Sequence, residues 1–197
     1  MQETSAQEVA IAEATIRVIV NQGFDQVSVR KVAQEAGIAP GTVQYHTGSR
    51  RHLLHSALER SIQRQNQRIQ NLPSTQDPLE RACLSLCELL PTGKVQREDA
   101  ALWVTLGAAA SAHSWITEIY QKELLRFQEH VAQGVTDLLQ SQGAKPTAQR
   151  VTLTARLITA LVNGLTLDYL HASPSPQLTA QIQNDLTHGI SRILQSA

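Results

Sequence analysis

The stretch of this chain best suited to chemistry is residues 28–54, with the sequence SVRKVAQEAGIAPGTVQYHTGSRRHLL. Arg30 and Lys31 lie near its start, and Pro40-Gly41-Thr42 combines small side chains with a hydroxyl. An arginine can donate two parallel hydrogen bonds to O6 and N7 of guanine. Small residues at the start of a helix let it approach base edges closely. The stretch therefore predicts contact with the phosphates and bases of double-stranded DNA.

The charge of the chain is neutral in total but strongly local. The 197 residues include 17 Lys and Arg and 17 Asp and Glu. Residues 26–70 hold seven of the basic residues and only two of the acidic ones, whereas residues 1–25 and 71–197 carry net charges of −3 and −2. Because the local field attracts phosphate, the neutral total does not exclude a nucleic-acid partner.

The elements that must position these residues are helices, because apolar residues recur every three or four positions and almost no segment alternates as a strand does. Ser28 is a good N-cap, Gly37 suits a left-handed turn, and Pro40 suits a first helical position. Two short helices joined at Gly37 form a helix-turn-helix. The fold class is all-α, with a three-helix head and a six-helix body whose predicted helices are 5–22, 28–36, 40–47, 50–72, 79–90, 96–110, 114–142, 147–171 and one after residue 176.

Several classes of protein are disfavoured. No apolar run approaches the roughly 18–20 residues of a membrane span, and the N-terminus lacks the features of a secretory signal, so we expect a soluble cytoplasmic protein without membrane contact. Cys83 and Cys87 lie one helical turn apart, which fits core thiols better than a redox switch. His52 and His55 have no third ligand at metal spacing. We expect no metal, no cofactor and no enzyme activity, since no nucleophile–base pair is recognisable.

The stretch from Val9 to Leu54 resembles the DNA-binding head of the TetR family of bacterial repressors. The resemblance rests on spacing and residue type together: Gly23-Phe24, Ser28, Val32-Ala33, Ala36-Gly37-Ile38, Gly41-Thr42-Val43, Gly48-Ser49-Arg50 and Leu53. Three positions depart from the family pattern. Thr47 replaces an aromatic residue after the recognition helix, Gln44 replaces a common Tyr, and Arg51 replaces an acidic residue.

The predicted roles follow from residue type. Arg30 is the candidate for a guanine edge, and the resemblance implies the same role. Tyr45 is suited to a thymine methyl or a phosphate, and other polar residues to backbone contacts that fix register. For a single residue the alternative is a solvated helix face. The DNA-contacting set is Ser28, Arg30, Lys31, Pro40, Gly41, Thr42, Gln44, Tyr45, His46, Ser49 and Arg50.

The resemblance also implies a ligand cavity within helices four to eight and a homodimer through the last two helices. Leu90-Pro91, Trp103, Trp115 and Val162-Asn163-Gly164-Leu165 are similar to the choline-responsive branch of the family. Residues 147–171 are apolar on most sides, which indicates cover by a second copy of the chain. Asn163 is expected to be buried and hydrogen-bonded. The candidate ligand-lining residues, each with ordinary core as the alternative, are Leu86, Leu90, Trp103, Leu106, Trp115, Tyr120, Phe127 and Asn163.

The sequence thus predicts two domains, with residues 1–48 as a helix-turn-helix DNA-binding domain and residues 49–197 as a ligand-binding and dimerisation domain. The predicted function is a repressor that binds a pseudo-palindromic operator as a dimer and is released by a small molecule. One alternative keeps the same DNA-binding dimer but makes it an activator or a nucleoid-type binder without an effector. A second alternative, a small helical enzyme, is disfavoured because the body offers few inward titratable groups.

Overall fold

The computed structural model describes residues 5–196, which form nine α-helices and one short 3₁₀ helix and contain no strand. The all-α prediction and the predicted order of helices are confirmed. The 3₁₀ helix is Phe24–Gln26. The α-helices are α1 Ala6–Gln22, α2 Val29–Ala36, α3 Pro40–Thr47, α4 Arg50–Gln70, α5 Pro78–Cys87, α6 Lys94–Ala110, α7 Ser114–Ser141, α8 Ala148–Leu170 and α9 Pro176–Ser196.

The largest difference from the predicted boundaries is the end of α5, which stops at Cys87 and not at Leu90. Pro91 explains the early end, because a proline ring clashes with the carbonyl four residues before it, here that of Cys87. The chain instead tightens, and the backbone N–H of Leu90 donates to the carbonyl of Cys87 at 3.1 Å. Pro73 likewise follows shortly after the end of α4, which stops at Gln70.

The chain divides into two compact units. One contains the chain up to Gln67 together with Ala101–Ile119, and the other contains Arg68–Ala100 with Tyr120–Ala197. The predicted boundary after residue 48 is a division by function, and it stays a prediction because compactness alone does not identify the residues that bind DNA.

In the first unit, α1 begins with a capping box. The Ser5 hydroxyl accepts from the Glu8 N–H at 3.2 Å, and the Glu8 carboxylate accepts from the Ser5 N–H at 2.8 Å. These bonds satisfy N–H groups that have no partner within the helix. The inner face of α1 buries Ile11, Ile16 and Ile19 almost completely, so hydrophobic burial fixes this helix in the unit.

In the second unit, the apolar residues of α5, α7, α8 and α9 share one core, and both cysteines lie in it as free thiols. The prediction of core cysteines is confirmed. Burial raises the pKa of Cys83, and it raises the pKa of Cys87 to about 12. Because the thiolate is the reactive form, both thiols are inert at neutral pH while this core is closed.

Two arginines of the second unit bind polar groups on neighbouring helices. Asp99, only 1% exposed, pairs with Arg68 Nη2 at 3.0 Å, while Arg68 Nε donates to Glu88 Oε2 at 3.0 Å. Arg97 donates to the carbonyls of Leu170 and, at 2.8 Å, Ala172. These bonds satisfy carbonyls at the C-terminus of α8, where no intrahelical partner exists.

Candidate DNA-binding site

The turn between α2 and α3 requires glycine. Gly37 has φ +69°, in the left-handed region that L side chains rarely adopt, although the space where its Cβ would lie is open. The N–H of Ile38 then returns to the Ala33 carbonyl at 3.1 Å and closes the end of α2. At the other end of α2, the Ser28 hydroxyl accepts from the Lys31 N–H at 3.3 Å. The predicted capping residues of the helix-turn-helix therefore act as expected.

The two short helices are held by burial and by ion pairs. Val32 and Val43 are fully buried, which fixes α2 and α3 on the shared core. Arg17 Nε on α1 lies 2.7 Å from Glu35 Oε1 on α2. This pair also neutralises one of the two carboxylates in the basic segment, so the charge that α2 presents to solvent is more positive than its composition suggests.

The helix α3 presents one uncovered face. Pro40, Gly41, Gln44 and Tyr45 are exposed, at a spacing that puts them on the same side of the helix, while Val43 is buried on the other side. Tyr45 is 86% exposed, which is unusual for a large aromatic side chain. A face with an exposed aromatic ring, whose edge contact is with the neighbouring His46, and a residue without a side chain suits close approach to base edges.

The first turn of α2 carries two exposed basic residues. Arg30 forms no hydrogen bond or ion pair with any residue between positions 5 and 196. Lys31 Nζ donates to Gln22 Oε1 at 3.2 Å and remains exposed. The guanidinium of Arg30 is thus free for a DNA ligand.

Ser49, also exposed, accepts through its hydroxyl from the His52 N–H at 3.2 Å and so caps α4.

Two predicted contact residues have side chains that are already engaged within the head. His46 Nε2 lies 3.0 Å from Gln7 Oε1, and its Nδ1 lies 3.7 Å from Glu8 Oε1. Arg50 Nη2 donates to the Phe24 carbonyl at 2.8 Å. Hydrogen bonds from Ser5, chiefly from its backbone N–H, lower the pKa of Glu8, and His46 adds to this effect. No local pattern predicts these partners, because they are distant along the chain.

Three further residues of α3 differ in their surroundings. Thr42 is half-buried and begins the recognition helix, as predicted. The Gln44 amide donates to the Gly48 carbonyl at 3.0 Å and secures the end of α3. Thr47, where the family pattern has an aromatic residue, is buried, and its hydroxyl donates to the Val43 carbonyl at 2.7 Å. The short polar side chain thus fits inside the head through a local hydrogen bond.

The candidate ligand-lining residues belong to both compact units. Trp103, Leu106 and Trp115 lie in the first, and the remaining five lie in the second. Trp103 Nε1 donates to the buried hydroxyl of Ser61 at 3.2 Å, and burial raises the pKa of Tyr120. Leu90 and Leu106 are fully buried, whereas Leu86, Trp103, Trp115, Tyr120 and Phe127 are half-buried. Their role in ligand binding stays a prediction.

Asn163 differs from its prediction. Its side chain is exposed in the single chain, because it lies on the side of α8 that faces away from the core formed by Ile158 and Val162. The expectation of a buried amide is therefore wrong for one chain by itself. Periodicity could not reveal this, since apolar residues surround α8 on most sides.

Within residues 5–196 no helix is long and apolar enough to cross a membrane. No group of three or more His, Cys, Asp or Glu side chains in the same range could hold a metal ion.

Comparison with known families gives two matches. Residues 11–57 match the family model described as bacterial regulatory proteins, tetR family. Residues 78–195, more than half of the chain, match the model described as BetI-type transcriptional repressor, C-terminal. The first match contains the whole helix-turn-helix, and the second contains most of α5 to α9.

Comparison with individual proteins agrees. The chain is 38% identical over 113 residues to the HTH-type transcriptional repressor KstR of Rhodococcus jostii, a match that covers 55% of this chain and 52% of that protein. The chain spans about half the length of the curated relatives it matches. These families and relatives are transcriptional regulators and not enzymes, which confirms the expectation about enzyme activity.

Two solved structures share the fold. A TetR-family transcriptional regulator from a Rhodococcus species has a TM-score of 0.83 at 23% identity, over 95% of this chain and 98% of that one. A transcriptional regulator from Saccharomonospora viridis, solved in complex with choline, has a TM-score of 0.72 at 24% identity, over 94% of this chain and 95% of that one. At these identities the likeness shows the fold alone.

Proposed function

The chain belongs to the TetR family of transcriptional regulators, and from that premise we propose that it is a cytoplasmic repressor that binds a pseudo-palindromic operator as a homodimer and is released by a small molecule. The observation that carries the proposal is the uncovered face of α3 beside a free guanidinium on α2. The face is exposed, its contacts within the described chain are the local bond of Gln44 to the Gly48 carbonyl and the ring contact of Tyr45 with His46, and its residue types fit the major groove.

We assign the residue roles by the hydrogen-bonding groups and apolar surface that each side chain exposes. Arg30 reads a guanine edge, because its fork is exposed and has no partner among residues 5–196. Tyr45 contacts a thymine methyl or a phosphate, and Pro40, Gly41 and Thr42 let α3 approach the bases. Backbone phosphates are contacted by Ser28, Lys31, Gln44 and Ser49. For His46 and Arg50, phosphate contact stays a prediction that competes with their bonds inside the head.

The homodimer is proposed from the outer face of α8. Leu153, Leu157 and Leu167 are 51%, 42% and 53% exposed, and Ala160 and Gly164 continue the same stripe. An apolar stripe along a helix of this length costs free energy in water unless another surface covers it. The twofold pairing of α8 and α9 would cover it with an identical stripe, and would hold two heads for successive major grooves.

The effector is proposed to be a lipophilic or aromatic small molecule that carries a positive charge. Support comes from the aromatic candidates Trp103 and Trp115 of the first unit, since aromatic faces attract cations. The choline bound to the Saccharomonospora viridis regulator is a molecule with such a charge. Release requires that the effector bind better to a form of the dimer that does not fit the operator.

The alternative is the same DNA-binding dimer acting as an activator or without an effector. The exposed face of α3 and the α8 stripe support both functions equally. A compound that releases the operator would favour the repressor, whereas stimulation of transcription from a bound promoter would favour the activator.

Selection of genomic fragments by the purified protein tests the proposal. We expect a small set of fragments to be enriched, to share a two-fold symmetric sequence, and to be released by some lipophilic cations in a mobility-shift assay. The matched control is Arg30→Ala, which removes the free guanidinium without breaking any bond in the described chain. Enrichment of random fragments, or equal enrichment by the control, would reject sequence-specific binding through this face.

A further inference from the structure

Phe24 is the centre of a cluster that the DNA-binding residues alone do not explain. The Phe24 ring is buried, and the guanidinium carbon of Arg50 lies 4.2 Å from its centroid. The rings of His113 and Trp115 lie 5.8 and 5.9 Å from the same centroid, both tilted by 46°. All four residues belong to the first compact unit, so residues around the start of α7 pack directly on the head.

We propose that His113 and Trp115 are positioning residues for DNA binding: by holding the Phe24 ring they fix the Arg50 guanidinium and, with it, the start of α4 directly after the recognition helix. The inference rests on the proposed function, because the property that these residues control is affinity for the operator.

The covalent order of the segments explains why Phe24 and Arg50 matter. Phe24 begins the 3₁₀ turn just before Ser28, which caps α2, and Arg50 begins α4 just after α3. Arg50 Nη2 donates to the Phe24 carbonyl at 2.8 Å and lies 3.4 Å from Asp25 Oδ1. One guanidinium thus joins the chain segments on both sides of the helix-turn-helix. A shift of this joint would change the angle at which α3 meets DNA.

The Phe24 ring is a large part of what holds Arg50. The Arg50 Nε atom is buried without a hydrogen-bond partner among the described residues, so the guanidinium depends on its Nη2 bonds and on the ring face beneath it. A cation over a desolvated ring is held more strongly than one over an exposed ring. His113 and Trp115 help to keep water from the ring. Their loss should therefore loosen Arg50 without removing any group that touches DNA.

A neighbouring contact points to the same junction. Arg51 Nη2 lies 3.1 Å from Glu118 Oε2, one turn after Trp115 in α7. Both side chains are largely exposed, so the pair contributes little energy by itself. It shows that Arg51, the residue directly after Arg50, contacts the first turns of α7.

The test measures operator affinity of the full chain without effector, over a range of salt concentrations. We expect Trp115→Leu to weaken operator binding by about 3- to 30-fold, the range typical of residues that act through a coupled element. The slope of log affinity against log salt should not change, because Trp115→Leu removes no cationic side chain. Trp115→Phe keeps a ring against Phe24 and should restore most of the affinity. The matched control is Ile116→Val, which shortens a buried aliphatic side chain in the same helical turn as Trp115. Ile116 has no ring and is not part of the aromatic cluster around Phe24.

A double-mutant cycle provides the second measurement. Phe24→Leu and Trp115→Leu should be clearly less than additive in operator affinity, because both break the same contact. Additive losses would overturn the inference, as would unchanged affinity in Trp115→Leu or an equal loss in Ile116→Val. If the wild-type chain binds no operator sequence, the proposed function itself is rejected. If Trp115→Leu fails to fold, the pair His113→Leu and Phe24→Leu gives the same test, because the His113 ring also packs on Phe24.

Discussion

The exposed leucines of α8 give a prediction whose magnitude follows from the structure. Leu153, Leu157 and Leu167 are each about half exposed in the single chain, at 51%, 42% and 53%. Full burial of a leucine contributes about 1.5–3 kcal/mol, so covering the exposed half contributes about 1 kcal/mol. Six such side chains in a twofold pair would contribute about 6 kcal/mol to dimerisation.

Substitution of these leucines should therefore separate the subunits. Leu157→Ala, present in both subunits, should cost about 2 kcal/mol and raise the dimer dissociation constant about 30-fold. The triple alanine variant should raise it about 25,000-fold. Sedimentation velocity over a concentration series measures this constant, and circular dichroism shows that the helical content is retained.

The matched control is Leu125→Ala. Leu125 is 59% exposed on α7 and lies outside the stripe, so its loss should leave the dissociation constant unchanged. A triple variant that remains dimeric at the concentrations where wild type does would refute the assignment of the interface. So would an equal effect of Leu125→Ala, because exposed apolar area in general would then be the cause.

Four other predictions concern the head and the thiols. Arg30→Ala should cost about 1–3 kcal/mol of operator affinity and relax specificity at one base, whereas Lys31→Gln should weaken all sequences alike and reduce the salt slope by about 0.9, both measured by fluorescence anisotropy. Gly37→Ala should destabilise the head by about 1–2 kcal/mol in denaturant unfolding, because a φ of +69° strains an L residue. No steric clash should add to this cost, because the space around the new Cβ is open. The pKa of Glu8 is lowered in the folded state. The Glu8 carboxylate therefore stabilises the fold fully above the ordinary pKa of 4.5, and this stabilisation is lost as the pH falls through the lowered pKa. Glu8→Gln should flatten the acid limb of the curve of unfolding free energy against pH. At pH 7 Cys87, whose pKa is raised to about 12, should react with a thiol reagent only at the rate of unfolding, and rapid labelling of the native chain would contradict this.

The features that sequence predicted well are those with local causes. Ser28, Gly37 and Pro40 act through their own backbone or through bonds to residues a few positions away, so the helix-turn-helix can be recognised without knowledge of the rest of the fold. The burial of Cys83 and Cys87 was also predictable, because small apolar side chains on one helical face favour a core.

The features that sequence missed depend on contacts between distant segments. Arg50 and Phe24 are 26 positions apart, and His46 and Gln7 are 39 apart, so nothing in the local pattern pairs them. An exposed arginine in a DNA-binding motif has the same sequence signature as one that supports the motif from inside. Asn163 was misjudged for a related reason: periodicity shows that α8 is apolar on most sides, but only packing decides which side its own chain covers.

The central claim is that two copies of the α3 face, with Arg30 beside each, read one operator. Hydroxyl-radical footprinting and guanine-methylation interference on the most strongly bound genomic fragment test it most directly. We expect two protected segments related by two-fold symmetry, about one helical turn apart or a multiple of it. Methylation of one guanine N7 in each half should block wild type and not affect Arg30→Ala. A single unsymmetrical footprint, or the same interference pattern for both proteins, would contradict it.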